Sequence, residues 1–141
     1  MAEIPLKPTG REEIRKLESA LLVMSLFDKE TLEAIKDPAT RVTWVDSLYT
    51  AAAALARERA GISTSKIAEE LGVTEATIRR HLKGETKAGQ LVKKVYDKLS
   101  KEGFKVELPT ELAEECTKQI TELKDKIEKV KKMLTEIQSW L

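Results

Sequence analysis

The residues able to do bond-making chemistry are few. The chain has one histidine, His81, and one cysteine, Cys116. Zinc sites built from Cys and His need three or four ligands, and a disulfide or redox pair needs two thiols. Neither can form within one chain. A nucleophilic site would have to use His81 as its base, joined by a carboxylate such as Glu85, and no nucleophile is arranged with the two. The expectation is a non-enzyme with no metal and no cofactor. Cys116 sits among Glu114 and Glu115 rather than cations, which suits a small buried hydrophobe better than a low-pKa thiol.

The remaining chemistry is cationic. Arg79, Arg80, Lys83 and Lys87 crowd around His81. An arginine can bond both major-groove acceptors of a guanine, and an alanine or a threonine methyl can touch a thymine methyl. Lysines and hydroxyls suit phosphates, which position a protein on DNA without reading its sequence.

Presenting such groups requires a scaffold, and residues 63–82 supply a pattern for one. Ser63 caps a first helix, with Ile67 and Leu71 facing inward and small Ala68 at the crossing. Gly72 permits a tight turn of positive φ, Val73 fills the corner, and Thr74 caps a second helix anchored by Ile78 and Leu82. With Ile78 set at zero and about 100° per residue, Leu82 falls on the same side while Ala76, Lys83 and Arg80 fall opposite, flanked by Thr77 and Arg79. The recognition helix is therefore read as residues 74–83. Ala76, Thr77, Arg79 and Arg80 are the expected base contacts. Ser65, Lys66, Thr74, Lys83, Lys87 and Lys94 are the expected phosphate contacts. His81 lies beside the buried side, in a packing or phosphate-contact role. Lys87, Lys94, Lys98 and Lys101 form a stripe on the next helix, which runs from near Thr86 to about Glu102. Gly89 interrupts that helix without an evident local reason.

The segment from Thr43 to Gly103 resembles an archaeal regulatory domain of helix-turn-helix type encoded beside KaiC-like ATPases. The resemblance rests on Thr43-Trp-Val-Asp-Ser-Leu48, Ala56-Arg-Glu-Arg-Ala-Gly61, the bihelix, and Gly84-Glu-Thr-Lys-Ala-Gly89. It covers under half of the chain. It implies a transcriptional or signalling regulator with an ATPase as a possible partner, and it carries over no catalytic residues.

Other elements flank this segment. Thr9 with Glu12 reads as a capping box for a helix to about Phe27, striped by Ile14, Leu17, Leu21 and Met24. Asp28 caps a short helix through Ile35. A third helix runs from about Thr43 to Ala60 along Val45, Leu48, Tyr49, Ala52, Leu55 and Ala56, and Asp37-Pro38 can extend its start. Residues 103–109 alternate apolar and charged side chains, as a short strand or an extended connector. From Thr110 onward Ala113, Ile120, Ile127, Leu134 and Leu141 recur every seven residues, with Cys116, Leu123, Val130 and Ile137 between them. Four heptads meet the length of a coiled coil. Lys126 would face Lys131 in a parallel pair, and Leu112, Met133 and Trp140 widen the apolar side, so an antiparallel pair or a bundle suits this helix better than a parallel zipper. Trp44 and Trp140 are expected in core or interface packing.

The fold class is all-α. The division is an N-terminal helical region at 1–40, a helix-turn-helix DNA-binding domain at 41–108, and a C-terminal coiled-coil dimerisation helix at 109–141. Homodimerisation is expected through Ile120, Leu123, Ile127, Val130, Leu134, Ile137 and Leu141. The net charge of +1 conceals segments of −2, +4 and −1 in that order. The excess positive charge therefore sits with the bihelix. No segment reads as a membrane span or a secretory leader, so the cytoplasm is the expected compartment. The absence of Asn, with only three Gln beside abundant Lys and Glu, fits a thermophilic source. The leading expectation is a dimeric, sequence-specific regulator bound to double-stranded DNA. The alternative is a protein-interaction adaptor that docks a partner such as a KaiC-like ATPase without DNA.

Overall fold

The structure, a computed structural model, describes residues 3–107 and 110–140, with side chains excluded at 110–113. It is all-α. The helices are α1 (Arg11–Leu26), α2 (Lys29–Ala34), α3 (Pro38–Arg59), α4 (Thr64–Leu71), α5 (Glu75–Lys83), α6 (Lys87–Glu102) and α7 (Thr110–Trp140). There is no strand among the described residues, so residues 103–107 are a connector. No described helix is long and apolar enough to cross a membrane.

Local chemistry sets most of the helix starts. Asp28 accepts from the Glu30 N–H at 3.0 Å, and Asp37 accepts from the Ala39 N–H at 3.0 Å with Pro38 at the first helical position. That cap starts α3 at Pro38, five residues before Thr43. At α1 the expected box shifts by one residue. Gly10 is the cap residue, and Glu13 rather than Glu12 takes both the backbone N–H and the hydroxyl of Thr9, at 2.8 and 3.0 Å. These two bonds hold the Glu13 carboxyl below its ordinary pKa.

The chain divides into two compact units, Met1–Glu107 and Leu108–Leu141. The boundary expected between residues 40 and 41 is absent, because α1 packs on both α3 and α6. Tyr96 of α6 also donates to the Leu6 carbonyl at 2.9 Å, tying the leading segment to the same core. Helix α3 is the hub of this unit and touches α1, α2, α4, α5 and α6. From Ala51 to Ala56 every side chain is buried. Alanine makes that possible, since a small side chain on each side lets neighbouring helices approach closely. The earlier part of α3 departs from the expected stripe: Val45 and Tyr49 lie exposed, while Trp44 turns inward and donates to the buried Thr31 hydroxyl at 3.0 Å.

Two apolar clusters meet along α3. One joins Leu17 and Leu21 of α1, Leu48 and Leu55 of α3, and Val92 and Val95 of α6. The other joins Ala54 to Ile67, Ala68 and Ile78 of the bihelix, and Leu82 borders both. Arg57 clamps the same region from outside. Its Nη1 lies 3.0 Å from Glu18 and its Nε 3.0 Å from Glu70, joining α1, α3 and α4. Burial would lower the Arg57 pKa, but hydrogen bonds to these two carboxylates outweigh it and hold the guanidinium more firmly charged than usual.

Helix α7 is 31 residues long. Its apolar residues Ile120, Leu123, Ile127, Val130, Leu134 and Ile137 are exposed. Cys116 is exposed too, against the expectation of a buried thiol, and so is Trp140. Leu141, expected in the same seam, lies outside the described residues, as do the side chains of Leu112 and Ala113.

Candidate nucleic-acid interface

Helices α4 and α5 form the bihelix with the local features its sequence demands. The Ser63 hydroxyl accepts from the Lys66 N–H at 3.3 Å, and the Thr74 hydroxyl accepts from the Thr77 N–H at 3.2 Å. Gly72 ends α4 at φ 69° and ψ 31°, a left-handed conformation that costs a side-chain-bearing residue about 1–2 kcal/mol. Ile67, Ala68 and Ile78 are buried, which fixes the opposite side of α5 outward.

That outward side carries Ala76, Arg79, Arg80 and Lys83, all exposed, with Thr77 half-buried at its edge. Their states differ. Arg79 lies along the helix with Nη2 3.0 Å from Glu75, in an exposed pair. The Thr77 hydroxyl is 2.9 Å from that of Thr74, so it is occupied within the helix cap. Among the described residues no carboxylate pairs with Arg80 or Lys83. Ser65 and Lys66 are exposed on the first turn of α4, and Thr74 is exposed at its cap position.

His81 takes the packing role. It is buried, with Nδ1 2.7 Å from the Thr86 hydroxyl. That hydroxyl also accepts from the Gly89 N–H at 3.0 Å. With a neutral His81 whose Nδ1 carries no proton, the Thr86 hydroxyl donates to the ring while accepting from Gly89, which uses both of its roles. Burial, followed by the positive charge of Arg80, lowers the imidazole pKa and favours that neutral form. A phosphate contact through His81 is thereby removed from the expected interface.

The same junction explains Gly89. A Cβ there would stand 2.3 Å from the His81 carbonyl oxygen. Glycine is needed because the first turn of α6 passes directly over the end of α5. The Gln90 amide closes the junction by donating to the Gly84 carbonyl at 2.9 Å. Beside it Lys83 of α5 and Lys93, Lys94, Lys98 and Lys101 of α6 line one open cleft, with the carboxylates of Asp97 and Glu102 among them. Lys93 was absent from the stripe that periodicity picks out; it joins because the cleft spans two helices. Lys87 is exposed but does not line it, and Lys94 reaches Asp28 at 4.0 Å.

Residues 47–91, which contain the bihelix, match the model of the homeodomain-like domain family. The chain is also 57% identical over 104 residues to an uncharacterized protein of Methanocaldococcus jannaschii, an alignment covering 74% of this chain and 64% of that protein. The chain thus spans somewhat under two thirds of that archaeal relative's length. No solved structure matches the chain.

Proposed function

We propose that the unit Met1–Glu107 binds double-stranded DNA as the recognition module of a transcription regulator, with α5 in the major groove. The observation that carries this reading is the exposed cationic side of α5, held outward by the burial of Ile78 and the packing of half-buried Leu82 against the core. Ala76, the Thr77 methyl, Arg79 and Arg80 contact base edges. Ser65, Lys66, Thr74, Lys83, Lys87 and Lys94 contact phosphates, and the cleft adds Lys93 and Lys98 to that set. The homeodomain-like match over residues 47–91 supports the reading.

Fluorescence anisotropy with duplexes drawn from genomic fragments tests it. Arg80→Ala should weaken specific binding by about 1–3 kcal/mol, and Lys83→Ala should reduce the slope of log affinity against log salt by about one unit. No salt-dependent binding to any duplex would overturn it. A second reading, an adaptor that docks a partner protein such as an ATPase, draws support from one observation: the exposed heptad seam of α7.

A further inference from the structure

The seam of α7 has a charge pattern that bears on what covers it. Ile120, Leu123, Ile127, Val130, Leu134 and Ile137 are between 51% and 59% exposed. Their strict heptad spacing is that of a coiled-coil contact. The positions bordering the seam hold Lys124 and Lys131 on one side and Lys126 on the other. None of the seven carboxylates of residues 109–141 stands at a bordering position; Glu122, Asp125 and Glu128 and the rest lie on the far side.

This arrangement disfavours a second copy of the chain, the occupant expected from the seam alone. In a parallel pair Lys126 meets Lys131 of the other copy. In an antiparallel pair each border meets its own counterpart, so the Lys124 and Lys131 border faces itself and the Lys126 border faces itself. Neither orientation supplies a single opposite charge. Lys131 lies 3.8 Å from Glu128 within the helix, but both groups are about two-thirds exposed, and such a pair yields easily to a better-placed carboxylate. An anionic membrane surface is a weaker fit, because the far side of the helix carries seven carboxylates against Lys118, Lys129 and Lys132 and is net negative, where surface-bound helices are rich in Lys and Arg.

We propose that α7 docks a helix of a different protein, in a two-stranded coiled coil whose partner carries carboxylates bordering its own apolar seam. Opposite charges at these borders choose the partner in coiled coils, while the seam provides the contact area. The proposal stands independently of DNA binding by α5.

Two synthetic four-heptad peptides with identical Ile/Leu seams test it, one bordered throughout by Glu and the other by Lys. Each repels itself and so is free to bind. Titrated into the full chain at neutral pH and low salt, the Glu-bordered peptide should bind at least about tenfold more tightly, and added salt should erode the preference. The triple variant Lys124→Glu, Lys126→Glu, Lys131→Glu should reverse it, with circular dichroism confirming an unchanged helix content. Sedimentation equilibrium should show the unmodified chain as a monomer at about 10 μM, well above the nanomolar range of tight coiled coils. Equal affinity for the two peptides would overturn the proposal. So would a dimer of the chain alone, or binding to phosphatidylglycerol vesicles with no peptide binding.

Discussion

Replacing Gly89 with alanine should destabilise the domain, although the same change in most helices does the opposite. An exposed helical Gly→Ala gains about 1 kcal/mol from backbone propensity. Here the new Cβ would meet the His81 carbonyl oxygen at 2.3 Å, its carbonyl carbon at 3.0 Å and the Thr86 hydroxyl at 2.9 Å. Van der Waals contact needs roughly 1 Å more than the shortest of these. The obstructing oxygen cannot swing aside freely, because it accepts from the Gly84 N–H at 3.1 Å and so closes the end of α5. Either α6 lifts off α5 or that turn opens. Overpacking of this kind costs about 1–3 kcal/mol, and a backbone obstacle belongs at the upper end. Net of the propensity gain, the expected loss is about 2 kcal/mol, or a fall in Tm of roughly 8–16 °C for a domain of about 100 residues. Thermal unfolding followed by circular dichroism measures this directly. Gly72 is the comparison. It has φ +69° but open space around its Cβ position, so Gly72→Ala suffers backbone strain alone. Gly72→Asn should recover part of that loss, since Asn tolerates the left-handed region, whereas Gly89→Asn should be worse than Gly89→Ala. A Gly89→Ala protein as stable as the parent would refute the close passage of α6 over α5.

Other outcomes follow from single contacts. Arg57→Ala removes the clamp on Glu18 and Glu70 and leaves Glu18 partly buried without its partner; a loss of about 2 kcal/mol is expected in urea unfolding, between the values for exposed and fully buried pairs. Thr74→Ala removes the α5 cap and should cost about 1 kcal/mol by the same assay. Glu75→Ala releases Arg79 from its intrahelical pair, so it should tighten duplex binding severalfold while changing stability by no more than about 0.5 kcal/mol. For His81 the folded pKa is lowered while the unfolded chain titrates near 6.5, so the unfolded state takes up the proton first as pH falls. The contribution of neutral His81 is therefore complete above about pH 6.5 and lost below it. Tm should drop on acidification through that range, and His81→Gln should remove this part of the slope; an identical slope in the variant would count against a buried neutral imidazole.

What the sequence made legible was local. Asp28, Asp37, Ser63 and Thr74 each cap a helix through a bond spanning two or three residues, and Gly72 needs only its own φ. Such signals are written in adjacent residues. The shift from Glu12 to Glu13 at α1 shows their limit, since two neighbouring glutamates offer the same chemistry and only the helix phase chooses between them. Long-range features were not legible. Gly89 looked misplaced because its reason is a carbonyl eight residues back, brought over it by the turn between α5 and α6. Arg57 gave no signal, since its partners lie 39 residues before it and 13 after it. Val45 and Tyr49 fit an amphipathic stripe but lie exposed, because α3 is covered around its second half rather than along one side. Within the candidate interface, the exposure of Ala76, Arg79, Arg80 and Lys83 followed from helical phase alone. The occupation of Arg79 by Glu75 and the lysine cleft did not.

The bond from Tyr96 to Leu6 spans 90 residues, and this separation sets a timetable for synthesis. At about 5–20 residues per second a chain needs roughly 5 to 18 s to pass from one residue to the other. Helices and local loops form far faster than that. Helix α1 therefore waits on the ribosome with the side that α6 will cover still open to solvent. The order of emergence, more than any intrinsic barrier, decides when this domain closes. A nascent chain halted before α6 would keep its first helix uncovered, and that is the stage at which a chaperone has most to hold.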